Sequence, residues 1–155
     1  MRVVIQRVSV ASVTVDSKVV GSIGQGFALL VGFTHSDTID DLKYIVNKIK
    51  FIRLFDDDNG IMNIDINDIG GSILSISQFT LYADASKGRR PSYVNAMKYN
   101  EAEYLYNEFN KMLLDEGFKV EKGVFGGDMK VSLTNDGPIT IILDSKEGKY
   151  ETSKL

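Results

Sequence analysis

Gly26-Phe27-Ala28-Leu29-Leu30-Val31-Gly32-Phe33 is the longest apolar run in the chain. An apolar stretch of this length with no polar alternation reads as a strand buried on both faces. It is far short of the roughly 20 residues that a membrane-spanning helix needs. Upstream, Gly21, Gly24 and Gly26 punctuate a turn region. Before that, Arg2–Val15 sets Val and Ile at alternating positions, the period-two pattern of a half-buried strand. Downstream the period changes at Asp37. Leu42, Ile45, Val46, Ile49 and Ile52 fall at helical spacing, with Asp37 or Thr38 as the N-cap.

Further along, Asp56-Asp57-Asp58-Asn59-Gly60 spells a turn, because Asn-Gly tolerates positive φ. Ser72–Thr80 follows Gly70-Gly71 as another apolar strand, and Lys87–Pro91 is a basic loop. A second helix is predicted from Asn100, with Glu103 three residues on as a capping-box partner and Gly117 as its stop. Its buried stripe is Ala102, Leu105, Phe109, Met112 and Leu113. Strands near Lys119–Phe125, Lys130–Thr134 and Ile139–Leu143 complete the pattern, and residues 145–155 read as a polar C-terminal tail. Strands outnumber helices, and the two helices stand apart between groups of strands. The expected fold is α+β, a curved, barrel-like, mainly antiparallel sheet with two covering helices in a single domain spanning residues 1–155.

Composition narrows the chemistry. At 155 residues with 43% hydrophobic and 25% charged side chains, the chain can close one core and has no disordered character. Eighteen basic against 21 acidic side chains give a formal charge of −3, so nucleic-acid contact must be local and not a general basic field. The absence of cysteine excludes disulfides, thiolate zinc sites and a thiol nucleophile. A single histidine, His35, excludes a two-His metal site within the chain, and no metal or other cofactor is expected. Met1–Arg7 alternates and carries a second Arg where a signal peptide would be apolar, which points to a cytoplasmic protein without a membrane partner.

Familiar catalytic sets fit poorly. His35, beside a helix start, reads as a surface or capping residue and not as a triad base. Gly21-Ser22-Ile23-Gly24-Gln25-Gly26 lacks the Lys-Ser/Thr ending of a phosphate loop and reads as a hairpin turn. The acidic run Asp56–Gly60 lacks the spacing and closing Glu of a calcium loop. Two segments resist such simple readings. In Ser77-Gln78-Phe79-Thr80-Leu81, polar residues end an apolar strand, and alternation would put Ser77 and Phe79 on one face and Gln78 and Thr80 on the other. Asn135-Asp136-Gly137-Pro138-Ile139-Thr140 spells a turn, yet Gly137 also permits close backbone approach to a ligand.

Together these two segments closely resemble the paired signatures of the D-aminoacyl-tRNA deacylases, the D-tyrosyl-tRNA(Tyr) deacylase family. The resemblance extends to Met1–Val8 and to Val124-Phe125-Gly126-Gly127-Asp128-Met129, and covers essentially residues 1–144 in order. It implies a homodimeric hydrolase, with active sites at the subunit interface, that cleaves the ester joining a D-amino acid to the terminal ribose of a tRNA. Gly137 and Pro138 would form a cis pair reaching into the partner's site, where a carbonyl wall rejects L side chains and lets glycine through. Arg7 would hold that pair in orientation. Ser77, Gln78, Phe79 and Thr80 would line the pocket, with Phe125 and Met129 also at the substrate. The resemblance assigns catalysis to Gln78, Phe79 and Thr80, through backbone N–H groups near Phe79 and Thr80 that stabilise an oxyanion while water attacks with help from the 2′-hydroxyl. A nucleophilic Thr80 would lack an evident base. Lys87, Arg89 and Arg90 are candidates for phosphates of the acceptor end. Two alternatives stand beside this reading: a non-catalytic nucleic-acid-binding module on the same fold, and a relaxed-chirality deacylase acting on mischarged L-aminoacyl-tRNA.

Overall fold

The alternation at the N-terminus produces one 14-residue strand, β1 (Arg2–Val15), around which the sheet is assembled. The computed structural model describes residues 1–147. After a tight turn with positive φ at Asp16 and Ser17, β2 (Lys18–Ile23) runs back antiparallel along residues 11–15 of β1. This strand takes residues 21–23, half of the region read from its glycines as a turn. β3 (Gly26–Gly32) then pairs antiparallel with residues 2–8, so two successive strands share one edge of β1. The other edge is taken along nearly its whole length by β8 (Lys130–Asp144).

The sheet is mainly antiparallel, as expected, and its remaining part is parallel. β3 pairs parallel with β6 (Ser72–Ser77), and β6 pairs parallel with β7 (Lys119–Lys122). A parallel neighbour requires a crossover, and the crossovers carry the helices. α1 (Ile39–Phe51) and the small hairpin of β4 (Phe55–Asp56) and β5 (Met62–Ile64) lie between β3 and β6. α2 (Tyr99–Asp115) lies between β6 and β7. β3 is buried on both faces, as its unbroken apolar run requires. Phe27, Leu29 and Val31 join α1 and α2 in the larger core, whereas Ala28 joins Val8, Val13, Leu74 and Ile76 in a smaller core within the curved sheet.

Helix ends show how local chemistry sets boundaries. Thr38 caps α1 in a capping box with Asp41, whose carboxylate accepts the Thr38 backbone N–H at 2.8 Å. The capping box expected at Asn100 and Glu103 does not form. Lys98 is the N-cap of α2 and gives no side-chain bond, and its carbonyl already accepts the Ala102 N–H at 2.9 Å, so Asn100 lies inside the first turn. Gly117, at φ +92°, follows α2 as expected of a helix stop. The predicted strand Ser72–Thr80 is also shorter. It ends at Ser77, and Phe79–Tyr82 forms a 3₁₀ turn closed by Leu81 N–H to Gln78 O and Ala83 N–H to Thr80 O. The alternation expected for Gln78 to Thr80 therefore does not apply.

At the C-terminal end, Ser145 is fully buried although the sequence suggested a polar tail from that residue. Its hydroxyl accepts from the Met1 amino group at 2.8 Å and donates to Asp41 at 2.7 Å. Burial lowers the pKa of the Met1 amino group, against the pull of Asp37. The remainder of the predicted tail, residues 148–155, lies outside the described residues.

Gly26 is where β3 begins, at φ +156°, and a Cβ there would stand 1.8 Å from the Ser72 carbonyl oxygen. Gly26→Ala is therefore expected to cost at least about 3 kcal/mol, or to abolish folding, through overlap with the backbone of β6. Gly24→Ala, where a Cβ meets nothing within 4 Å, is expected to stay within about 0.5 kcal/mol. Urea unfolding midpoints of the two variants check this.

Candidate active site

β3 and β6 run parallel, and beyond their carboxyl ends a cleft of about 650 Å³ opens. Such ends are the usual ligand positions of parallel strands, because the backbone there leaves the sheet and its polar groups become available. Ser77, Gln78 and Phe79 form one wall, and Phe125 and Met129, from the loop between β7 and β8, form another. Tyr93 and Tyr99, just before and at the start of α2, close the third side. The aromatic rings brace each other. Phe79 and Tyr93 meet edge-on at 5.2 Å, and Tyr99 and Phe125 do so at 5.0 Å. The Tyr99 hydroxyl also donates to the Phe125 carbonyl at 3.3 Å, tying the β7–β8 loop to α2.

The 3₁₀ turn gives this apolar cleft its polar feature. The Gln78 N–H is used by the Val31 carbonyl at 2.7 Å, and the Leu81 N–H by Gln78 O. Between them, the N–H groups of Phe79 and Thr80 are the first amides of the turn and have no backbone acceptor among the described residues. The Thr80 hydroxyl accepts from the Gln78 side-chain amide at 2.5 Å, and the Thr80 side chain does not line the cleft. Among the described residues, no base stands beside it. Asp128 is the only carboxylate among them on the cleft wall, and it pairs with Lys130 at 3.0 Å. The His35 ring is exposed, with Nε2 2.6 Å from the Val94 carbonyl oxygen, and belongs to neither the cleft nor a triad.

A second group of predicted residues gathers elsewhere. Opposite Arg7 the β1–β8 register breaks: Gln6 pairs with Thr140 and Val8 with Asn135, so residues 136–139 bulge out across one residue of β1. Gly137 and Pro138 occupy this exposed bulge, joined by a cis peptide bond, with Gly137 at φ +132°. Asn135 closes the bulge, accepting the Ile139 N–H at 2.9 Å and donating to the Thr140 hydroxyl at 3.0 Å. Arg7 fixes it from beneath. The buried guanidinium donates from Nε to the Asp136 carbonyl at 3.0 Å and from Nη1 to the Leu54 carbonyl at 2.8 Å. Asp56 and Asp136 lie 3.5 Å away, but both are half-exposed and add little.

Ser77, Gln78, Phe79, Phe125 and Met129 are thus brought together in the cleft, with Thr80 directly behind it. Arg7, Gly137 and Pro138 form a separate surface feature of the same chain. Sequence reasoning missed Tyr93, Met97 and Tyr99, which line the cleft from a stretch that gave only scattered aromatics after a basic loop. Among the described residues, no group of three or more His, Asp and Glu side chains converges as a metal site, and no helix is long and apolar enough to cross a membrane.

Removing the Arg7 guanidinium leaves two carbonyl oxygens without their donors, each worth about 1–3 kcal/mol if not rehydrated. Arg7→Ala is expected to destabilise the fold by about 2–4 kcal/mol, and Arg7→Lys to recover less than half, since an ammonium cannot reproduce the fork. Denaturant unfolding of both variants tests this.

A family profile described as D-Tyr-tRNA(Tyr) deacylase matches residues 4–144. The chain is 56% identical over 146 residues to a Bacillus cytotoxicus protein named D-aminoacyl-tRNA deacylase, covering 94% of this chain and 100% of that one. Proteins of the same name from Thermus aquaticus and Bacillus velezensis are 54% and 53% identical over 147 residues, covering 95% of this chain and 97% and 100% of theirs. Among solved structures, one named c-Myc DNA Unwinding Element Binding Protein superposes with a TM-score of 0.87 at 38% identity, covering 93% of this chain and 98% of that one. A probable eukaryotic D-amino acid tRNA deacylase superposes with a TM-score of 0.78 at 18% identity, covering 92% and 98%, a likeness of fold.

Proposed function

The chain belongs to the D-Tyr-tRNA(Tyr) deacylase family, and on that premise we propose how its cleft acts as a D-aminoacyl-tRNA deacylase, an ester hydrolase of aminoacyl-tRNA. The observation that carries the mechanism is a pair of amides without a backbone acceptor, Phe79 on the cleft wall and Thr80 directly behind it, beside a cleft that, among the described residues, offers no side-chain nucleophile with a base. Water adds to the ester carbonyl carbon. Its oxygen becomes an oxyanion held by the two N–H groups, and the bond to the ribose oxygen then breaks, the proton passing to that oxygen. The neighbouring 2′-hydroxyl of the substrate relays the proton. Donors fixed in a backbone turn need no reorganisation as charge develops, and each such donor is worth about 10²–10³ in rate. Ser77, Gln78, Phe125 and Met129 position the terminal nucleoside and the aminoacyl group.

Chirality is read by exclusion. Gly137 and Pro138, held by Arg7, enter the cleft of a second copy and wall off the side where an L substituent would project, whereas glycine passes. The separation of this bulge from the cleft of its own chain suits a contribution across a homodimer interface, as do the exposed apolar side chains Val10, Val131 and Ile142 on β1 and β8. A tRNA substrate suits a cytoplasmic protein.

Hydrolysis of D-tyrosyl-tRNA beside L-tyrosyl-tRNA, with and without EDTA, tests the activity and its selectivity. Rapid loss of the D-ester alone, indifferent to chelator, is expected. Comparable cleavage of both esters would overturn the gate and favour a relaxed-chirality deacylase. No turnover by folded protein would favour a nucleic-acid-binding module, in keeping with the DNA-binding name of the 38%-identical structure. Thr80→Ala is expected to retain kcat within about tenfold, because its amide remains. Loss of a nucleophile would lower kcat far more, by about 10³ or greater.

A further inference from the structure

We propose that the loop between Asp84 and Ser92 is a phosphate clamp for the acceptor end of the tRNA, with Lys87, Arg89 and Arg90 as its contacts. The proposal rests on the deacylase reading and adds the surface that receives the rest of the substrate. The loop leaves the 3₁₀ turn through Ala83, whose N–H bonds Thr80 O at 3.0 Å. It is pinched shut by reciprocal backbone bonds of 2.8 Å between Asp84 and Ser92. It returns directly to Tyr93, whose ring contacts Phe79. Both feet of the loop are therefore continuous with one wall of the cleft.

The tip is built to be positive. Residues 83–92 are exposed, and Lys87, Arg89 and Arg90 fall within four positions around Gly88. None of the three has a carboxylate partner among the described residues. Asp84, the only acid in the loop, is at its base, where it accepts the Ser86 N–H at 2.9 Å. Lys50, Lys130 and Lys146 are paired with acids, and other cations unpaired among the described residues, such as Lys18, Lys43 and Lys111, stand apart from one another along the chain. An unpaired triad of cations on a pinned loop favours a polyanion over an apolar partner.

Reach sets the extent of the contact. Lys87 is three residues from the Asp84–Ser92 bridge, which places the tip within about 11 Å of it, and the phosphodiesters next to the terminal ribose are the anions that such a loop meets first. Two or three phosphates are engaged, and the clamp is indifferent to base identity because it reads only charge.

The test is the variant Lys87→Ala, Arg89→Ala, Arg90→Ala, assayed on D-tyrosyl-tRNA and on the D-tyrosyl ester of adenosine. The ratio of kcat/KM between tRNA and adenosine ester is expected to fall about 10- to 100-fold at low salt, through KM and not kcat. The log–log dependence of tRNA binding on salt is expected to flatten by about 2, since each lost phosphate contact removes about 0.7–0.9 of slope. An unchanged ratio and slope would overturn the clamp. An equal loss on both substrates would also overturn it, by showing that the loop only supports the cleft wall. Equilibrium binding of uncharged tRNA requires no turnover. If wild-type protein hydrolyses nothing, the deacylase reading fails, and equal affinity of wild type and variant for that tRNA still overturns the clamp separately.

Discussion

The structure depends on satisfying both edges of one long strand. β1 runs 14 residues, and each of its backbone donors and acceptors must find a partner when buried. Neither β2 nor β3 is long enough to complete one edge, so they share it, and β8 covers the other. That division curves the sheet and makes two cores, one under the helices and one within the bend. It also leaves a mismatch at Arg7, where four residues of β8 lie opposite a single residue of β1. The bulge carrying Gly137 and Pro138 is the outlet for those residues, and the buried guanidinium satisfies the carbonyl that the broken ladder exposes.

The cleft has a different origin. β3 and β6 are parallel because helix-bearing crossovers join them, and parallel strands end side by side. Beyond Gly32 and Ser77 the chain must turn away. The turn at Phe79–Tyr82, like any helix, cannot satisfy its first amides internally, so the deficit of backbone acceptors falls beside an aromatic-walled cavity. The chemistry proposed for this site follows from the backbone, which explains how an unactivated threonine and a distant histidine are compatible with ester hydrolysis.

The same segment links the reacting centre to a larger substrate. One stretch of chain, from the end of β6 to the start of α2, supplies Gln78 and Phe79, then the basic loop, then Tyr93 and Tyr99. Local positive charge on this stretch, in a chain of formal charge −3, concentrates attraction for a polyanion beside the cleft and not over the whole surface.

Periodicity by itself determined much of the fold. The unbroken Gly26–Phe33 run meant burial on both faces, the Arg2–Val15 alternation meant a long strand, and the helical spacing from Leu42 to Ile49 meant α1, because side-chain burial repeats with the backbone period. The motifs at Ser77–Leu81 and Asn135–Thr140 marked the residues of interest and the family. Tertiary structure decided the rest. The parallel pairing of β3, β6 and β7 depends on where the crossovers return, and the single long β8 depends on β1 lying opposite both predicted strands. The start of α2 is set by the Lys98 carbonyl and not by a side-chain cap. Tyr93 and Tyr99 join the cleft only because the chain folds back over Phe79 and Phe125. Local periodicity reports which side of an element is buried, whereas a site assembled from four separate segments depends on long-range contacts that no local window contains.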